Sequence, residues 1–340
     1  EKTGAAMGLL GTMSAIGTAL GPSLGGLLLS LFDWRAIFII AAPLSLIALT
    51  IAWRHLPATR SAQVDARDRF DFVGALLLAL TLGAYALAMT IGRNHVDAIN
   101  MALLGVALIG AGFFAFLEPR IASPLITLDM LRDRRFGASL AMSALISTVM
   151  MATLIVSPFY LSRGLGLSDA LAGVAMSAGP IMSSLSGAPA GRLVDRFGAN
   201  NIMRIGLTGM IAGLAGLAAS PASFGVAGFV TAMLIIAPGY QLFQAANNSA
   251  VMADATPAQR GVTSGLLNLA RNIGLITGAS VMGAIFAAAS GASDASAATS
   301  DAIAFGMRVT LAIAAALIAV ALAISAIAAS SSPACVRRRR

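Results

Sequence analysis

The sequence is poor in the residues that perform chemistry at catalytic and metal sites. It contains one cysteine, Cys335, and two histidines, His55 and His95, both in predicted loops, which excludes a cysteine metal site or an internal disulfide framework. Its single lysine is Lys2, so the phosphate-binding loop GxxxxGK(S/T) cannot form. No nucleophile has a base beside it, and all 14 aspartates and glutamates fall in predicted loops or at predicted helix ends. The sequence therefore predicts no enzyme, no metal, no cofactor and no ATP hydrolysis by this chain.

Charge is scarce as well, since only 11% of the residues are charged and 58% are hydrophobic. A soluble fold cannot bury that much apolar surface, and the mean hydropathy of +0.87 indicates a bilayer as the solvent. A membrane-spanning helix needs roughly 20 mostly apolar residues, and long runs without strand-like alternation favour helices over a barrel. The sequence predicts an all-α membrane protein with ten transmembrane helices. Their ranges are 7–30, 35–53, 71–92, 99–117, 137–161, 168–190, 202–219, 222–246, 262–289 and 304–329.

The basic residues that give the net charge of +8 are divided unequally between the two sides of the membrane and do not indicate a nucleic-acid-binding patch. With the N-terminus assigned to the cytoplasm, most of the 22 lysines and arginines fall in cytoplasmic loops or in the tail 331–340. The opposite side receives Arg35, Arg93, Arg163 and Arg308, and Arg271 falls inside a span. This asymmetry is typical of membrane proteins. We therefore expect both termini of the chain to be cytoplasmic, the bilayer to be a partner and nucleic acid not to be one.

Residues 4–26 and 261–283 form an internal repeat. Aligned without a gap, nine of their 23 positions are identical, including the pairs Gly17/Gly274 and Gly21/Gly278. Two halves related by duplication are a known architecture of membrane proteins. The second copy is the fifth of the six spans that follow the segment 118–136, so by symmetry the first copy is also a fifth helix. Four helices are then expected to precede it.

The repeat also predicts the domain organisation, because it leaves one pair of spans between the two halves. Residues 1–57 hold the last two helices of the N-terminal half, 58–117 a cytoplasmic loop and the inserted pair, 118–330 the six-helix C-terminal half, and 331–340 a basic cytoplasmic tail.

Three short segments resemble motifs of the major facilitator superfamily. GTALGPSLGG at 17–26 resembles its antiporter signature, motif C; WRAIF at 34–38 resembles the start of its sixth helix; and GRLVDRFG at 191–198 resembles its motif A loop. The inserted pair of spans is similar to that of the 14-helix drug:H+ antiporters. The resemblance implies the major-facilitator fold, in an incomplete 14-helix architecture that lacks the first four helices.

The first candidate site is the motif C segment. Gly17, Gly21 and Gly25 recur at every fourth residue and share one helix face, where small residues let a neighbouring backbone approach closely. Pro22 removes a backbone hydrogen bond and can kink the helix, and Gly26 follows. By resemblance this bent helix seals one side of a central cavity, and the alternative is ordinary helix packing.

The second candidate is the cytoplasmic loop that resembles motif A. Its residues of interest are Gly191, Arg192, Asp195, Arg196 and Gly198. By resemblance, this loop gates the cavity, and Asp195 faces the N-terminus of a helix in the opposite half, around residues 4–8, where the helix dipole favours an anion. The alternative is a solvated loop.

Polar residues inside the last spans are the third set of candidates, for the cavity or its gate. They are Asn268, Arg271, Asn272, Gln241, Gln244, Asn247 and Asn248. An arginine this far inside a span usually faces protein or water, although it can also snorkel to the interface. The amides either contact substrate or form interhelical hydrogen bonds.

The resemblance implies a secondary transporter of the bacterial inner membrane that exports lipophilic or cationic drugs by alternating access, driven by the proton gradient. We expect a monomer, with any outer-membrane efflux partner unknown. No carboxylate lies at mid-membrane in this sequence, so the proton carrier is expected in the four preceding helices. The alternatives are a carrier of another solute or metabolite, a fragment that does not transport, and a subunit of an ATP-driven permease, which the motifs oppose.

Overall fold

The computed structural model describes residues 35–55, 71–91, 97–121, 133–219, 224–256, 259–291 and 299–330, together with Met13 and Met130. Every regular element in these ranges is helical, so the prediction of an all-α protein is confirmed. The α-helices are α1 (Arg35–His55), α2 (Phe72–Thr90), α3 (Ala98–Leu117), α4 (Arg134–Phe159), α5 (Asp169–Phe197), α6 (Ala199–Ala219), α7 (Gly225–Asp254), α8 (Arg260–Thr277), α9 (Gly283–Ala289) and α10 (Ser300–Ser330). A π-helical turn, Tyr160–Gly164, extends α4, and a second one, Gly278–Met282, joins α8 to α9.

Eight helices within these ranges are long and apolar enough to cross a membrane, and α8 and α9 together form one of them, Arg260–Ala289. The eight coincide with eight of the predicted spans. The predicted span 168–190 also forms a helix, α5, but it is not among the eight; it contains Pro180, Pro189 and several serines. The predicted span 7–30 lies outside the described residues.

Helices α4 to α10 form one bundle with a continuous core. Helix α7 packs between α5 and α6, α10 packs against α6 and α4, and α4 packs against α8. The centre of the bundle is filled by large apolar side chains with almost no exposed surface, such as Phe229, Phe243, Leu207, Leu214 and Ile318. Many large apolar side chains point outward instead, among them Val174 and Leu185 of α5, as expected where lipid covers the bundle.

Glycines bring α6 and α7 into backbone contact. A Cβ atom added to Gly206 would lie 2.6 Å from the carbonyl oxygen of Gly239, and one added to Gly239 would lie 2.8 Å from the carbonyl oxygen of Gly206. Dispersion between closely packed backbones favours such crossings in lipid, where burial of apolar surface contributes little.

The inserted pair forms a hairpin of α2 and α3 that packs on the bundle through α8. Within the hairpin, the Asn100 side chain donates 2.7 Å to the carbonyl oxygen of Ala88. Toward the bundle, the Tyr85 hydroxyl lies 2.5 Å from Oγ1 of Thr277, and Ser280 donates to the carbonyl oxygen of Met89. The hairpin therefore packs against the bundle at the end of α8 and at the π-helical turn that follows it. Helix α1, by contrast, has none of its span buried.

Candidate functional site

The motif A residues are helical in the structure, so their placement in a loop is wrong. Helix α5 continues through Phe197, and only Gly198 ends it, with a φ of +83° and its N–H donating 2.9 Å to the carbonyl oxygen of Val194. Val194 is buried in the core and continues the helical pattern of α5. The positive charge of Arg196, in the last turn of α5, also interacts favourably with the negative end of the helix dipole.

Arginines gather at one end of the bundle, which we call the basic end. It carries Arg134 and Arg135 at the start of α4, Arg192 and Arg196 near the end of α5, and Arg260 at the start of α8. Of the motif A residues, Gly191 is buried, whereas Arg192, Asp195, Arg196 and Gly198 are exposed. The Arg196 guanidinium lies 5.2 Å from the centroid of the Phe197 ring. Both the helix start that Asp195 is predicted to face and the motif C segment 17–26 lie outside the described residues, and these two roles stay predictions.

A pocket of about 900 Å³ opens at the basic end, between the start of α4, the α5–α6 turn and the ends of α7 and α10. Its lining includes Asp133, Asn201, Thr263 and Ser325. The Thr263 hydroxyl is buried and has no hydrogen-bond partner among the residues that the structure describes. The walls of this pocket come from α4–α8 and α10, so it lies within the bundle that these helices form.

One face of α8 carries a polar stripe that no described element covers. Asn268 and Asn272 are exposed and Arg271 is half-buried, whereas the opposite face, with Leu267 and Ala270, is buried against the bundle. Asn268 donates 3.1 Å to the carbonyl oxygen of Ser264 in its own helix. Amides and a guanidinium are costly in hydrocarbon. The stripe therefore faces a cavity or other protein rather than lipid.

The amides of α7 divide into two groups. Asn247 is completely buried, and its Nδ2 lies 3.4 Å from the carbonyl oxygen of Ser139 and 3.3 Å from Oγ of Ser143, both on α4. It thus forms the interhelical hydrogen bonds that were one of the two predicted alternatives. Gln244 instead donates 3.1 Å to the hydroxyl of Tyr240, one turn earlier. Gln241 and Asn248 are buried and half-buried, respectively.

Gln244 and Tyr240 form a hydrogen-bonded pair on one face of α7. The sequence singled out the glutamine but missed Tyr240, which is one of three tyrosines in the chain. The signal that could have found it is the four-residue spacing to Gln244, which places both side chains on one helix face.

Replacing Asn247 with alanine is expected to destabilise the bundle by about 1 kcal/mol, because interhelical hydrogen bonds in membranes contribute about that much or less. The cost stays small because Oδ1 of Asn247 has no hydrogen-bond partner in the described part of the chain. Thermal unfolding of the detergent-purified protein measures the effect. Asn268→Ala, which removes an exposed amide bonded to its own helix, is the control. If Asn247→Ala and Ser143→Ala had additive effects, the side-chain bond between them would be refuted.

Comparison with known proteins finds several longer relatives. The chain is 31% identical over 280 residues to the uncharacterised transporter YebQ of Escherichia coli K12, which covers 82% of this chain and 61% of YebQ. It is 30% identical over 288 residues to the riboflavin transporter RibZ of Clostridioides difficile, which covers 84% of this chain and 62% of RibZ. It is 25% identical over 273 residues to the multidrug efflux pump LfrA of Mycolicibacterium smegmatis, which covers 80% and 54% of the two chains. The chain therefore spans less than two thirds of these relatives.

The fold is also similar to that of a solved transporter structure. A mutant of the nucleoside transporter NupG aligns with a TM-score of 0.52 over 96% of this chain and 90% of NupG. The sequence identity is 16%, so the likeness concerns the fold alone. Residues 1–279 match the family model described as the Major Facilitator Superfamily. The match includes the motif C and motif A segments and most of the helical bundle, and the chain is thus a multi-pass membrane protein that belongs to the major facilitator superfamily.

Proposed function

We propose that the protein is a secondary transporter that exports lipophilic or cationic drugs in exchange for protons. The observation that carries the proposal is the polar stripe of α8, on which Asn268 and Asn272 are exposed and Arg271 is half-buried, within a helical segment apolar enough to cross a membrane. In a family built from two half-bundles, such a face lines the cavity between the halves, where substrates bind near the midplane. Rocking of the halves then exposes this face to either side of the membrane.

The more specific part of the proposal is that the transported molecules are drugs and that they are exported. It is supported by the similarity to LfrA, a multidrug efflux pump, and by the segment GTALGPSLGG, which resembles an antiporter signature. RibZ, a riboflavin transporter at 30% identity, favours a second candidate, the transport of another small solute. Both candidates are carriers and not enzymes.

Proton coupling requires a titratable group at membrane depth. All 14 carboxylates of this chain fall outside the apolar runs of the sequence or at the ends of those runs. Because the relatives are longer than the chain, we look for the proton carrier in the full-length gene product. We further propose that the protein is a monomer of the bacterial inner membrane, with both termini of this chain in the cytoplasm.

The test is the accumulation of fluorescent dyes and antiseptics in cells that express the full-length gene, with and without a protonophore. Low accumulation that rises when the protonophore is added is the expected result, because the exporter would then lose its energy source. Cells that carry the empty vector are the control. Accumulation that is the same in both strains for every compound would contradict drug export, and riboflavin uptake would then test the second candidate.

A further inference from the structure

We infer that the inserted hairpin of α2 and α3 sets the rotation of α8 about its own axis, with Tyr85 and Ser280 as positioning residues that keep the polar stripe turned toward the cavity. The inference rests on the proposed transport function, because it gives the hairpin a task in that function. Both residues act through a hydrogen bond between α2 and the helical segment that carries the stripe.

The π-helical turn Gly278–Met282 divides this membrane span into two parts that pack separately. Beyond the turn, the buried Phe286 ring of α9 lies 5.7 Å from the Phe159 ring of α4, centroid to centroid. A Cβ atom added to Gly306 of α10 would lie 3.2 Å from the same ring. A π-helical turn interrupts the regular i→i−4 hydrogen bonds, and such turns are frequent at functional sites. The anchoring of α9 therefore leaves the rotation of α8 to other contacts.

The contact of α8 with α4 is close but smooth. It is made by Gly274 and, at the start of the turn, by Gly278, each against the backbone of α4. Glycine has no side chain that interlocks with a neighbour, so this crossing fixes the distance between the helices more firmly than their rotation. The Thr148 hydroxyl donates to the carbonyl oxygen of Gly274, and a carbonyl oxygen accepts over a broad range of directions. This bond therefore also tolerates rotation.

A hydroxyl pair makes the first attachment of the hairpin to α8. Thr277 donates 2.7 Å to the carbonyl oxygen of Ile273 in its own helix, and a hydroxyl has only one hydrogen to donate. The Tyr85 hydroxyl, 2.5 Å from Oγ1 of Thr277, is therefore the donor of the bond between α2 and α8. Both hydroxyls lie within apolar spans, where an unpaired polar group is costly.

The second attachment lies about one helical turn further on and is made at the end of α2. The last carbonyl groups of a helix lack donors within the helix. Here the carbonyl oxygen of Ala88 accepts from the Asn100 side chain, and that of Met89 accepts from the Ser280 hydroxyl. Ser280 thus bonds to a point on the hairpin that Asn100 holds in place from the other helix of the hairpin.

The polar stripe lies on the side of α8 away from these attachments. At about 100° per residue, Thr277 is roughly 140° round the helix from Asn272 and roughly 180° from Asn268. A rotation of α8 that broke the two bonds would carry the stripe toward a neighbouring helix. It would also turn the buried face, which includes Ala270, toward the cavity.

Cysteine labelling of the full-length protein tests the inference. Ala270, buried on α8, and Ala314, buried on α10, are replaced by cysteine one at a time, in a protein whose other cysteines are replaced by serine. Each is combined with Tyr85→Phe, with Ser280→Ala or with the matched control Thr90→Val. Thr90 also lies on α2, but it is exposed and its hydroxyl bonds within its own helix. The rate of reaction with a charged, water-soluble maleimide is measured in membranes.

Tyr85→Phe and Ser280→Ala are each expected to raise the labelling rate of Ala270→Cys about threefold, the population change that loss of one average membrane hydrogen bond produces. A buried cysteine reacts through the minor, rotated state, so its rate follows the population of that state. Ala314→Cys is expected to be unaffected, and Thr90→Val is expected to change neither rate. Equal increases at both cysteines would overturn the inference in favour of general loosening of the bundle. An unchanged rate at Ala270→Cys would overturn it as well.

Failure of the inference and failure of the proposed function are distinguishable, because dye export is measured separately with the unmodified full-length protein. Export together with an unchanged labelling rate at Ala270→Cys would refute the positioning role and leave drug export standing. No export, together with a selective rise at Ala270→Cys, would contradict drug export and support the control of α8 by the hairpin.

Discussion

Replacing Gly274 with alanine is expected to separate α4 from α8 and to lower the melting temperature of the protein by several degrees. A Cβ atom at this position would collide with the carbonyl oxygen of Ala144 and lie 2.9 Å from its Cα. Backbone atoms cannot move aside as a flexible side chain can, so the two helices must shift apart. Overpacking of this kind costs about 1–3 kcal/mol, and more where backbone is involved.

The same contact includes a hydrogen bond between the two helices. The Thr148 hydroxyl of α4 donates 2.9 Å to the carbonyl oxygen of Gly274. This hydrogen bond would be lost if the two helices moved apart. Directly after α8, at the start of the π-helical turn, a Cβ atom at Gly278 would lie 2.5 Å from the carbonyl oxygen of Thr148. The α4–α8 crossing therefore depends on two glycines, one turn apart.

Gly265→Ala is the matched control for Gly274→Ala. It lies on the same helix and is exposed, and a Cβ atom there would meet no atom of the described residues within 4 Å. Alanine is about 1 kcal/mol better than glycine in a helix interior, so the control is expected to be neutral or slightly stabilising. Thermal unfolding in detergent measures both variants, and a Gly274→Ala protein as stable as Gly265→Ala would refute the close crossing.

Replacing Gly21 with leucine is expected to abolish export while leaving membrane insertion intact. Gly21 lies outside the described residues, but the internal repeat aligns it with Gly278, and Gly17 with Gly274. Since these two partners are the glycines that contact α4, we expect Gly21 to lie against a neighbouring helix of its own half in the same way. A leucine side chain would fill that contact and prevent the seal that we propose for the motif C helix.

Dye export by cells expressing the full-length gene measures the effect of Gly21→Leu, and immunoblotting of the membrane fraction measures insertion. Ala19→Leu is the matched control, because two residues correspond to about 200° of rotation and place Ala19 on the opposite helix face. Normal export by the Gly21→Leu protein, at equal expression, would defeat the sealing role.

Helix positions were largely predictable from the sequence because they depend on local composition. Eight of the ten predicted spans recur as helices that are long and apolar enough to cross a membrane, and the backbone hydrogen bonds of each are satisfied within the segment itself. The end of α5 was predicted wrongly because the segment 191–198 was assigned to a loop by its resemblance to motif A. Its polar residues are compatible with a helix that extends past the apolar core to the basic end.

The roles of polar side chains were less predictable, because a role depends on which helix lies opposite. Asn247 and Gln244 are three residues apart and equally polar in the sequence. The first bonds to α4, whereas the second bonds to Tyr240 in its own helix. The docking of the inserted hairpin on Thr277 and Ser280 had no local signal at all.

The sequence by itself determined that this protein lies in a lipid bilayer. It also determined the type and approximate ends of the helices, the duplicated glycine pattern and the family resemblance. Each of these follows from composition and spacing along single segments. Only the tertiary structure decided which glycines contact the backbone of a neighbouring helix, which amides form interhelical hydrogen bonds, and where the inserted hairpin packs on α8. These properties belong to pairs of helices far apart in sequence, and their relative rotation and depth are set by packing rather than by either segment alone.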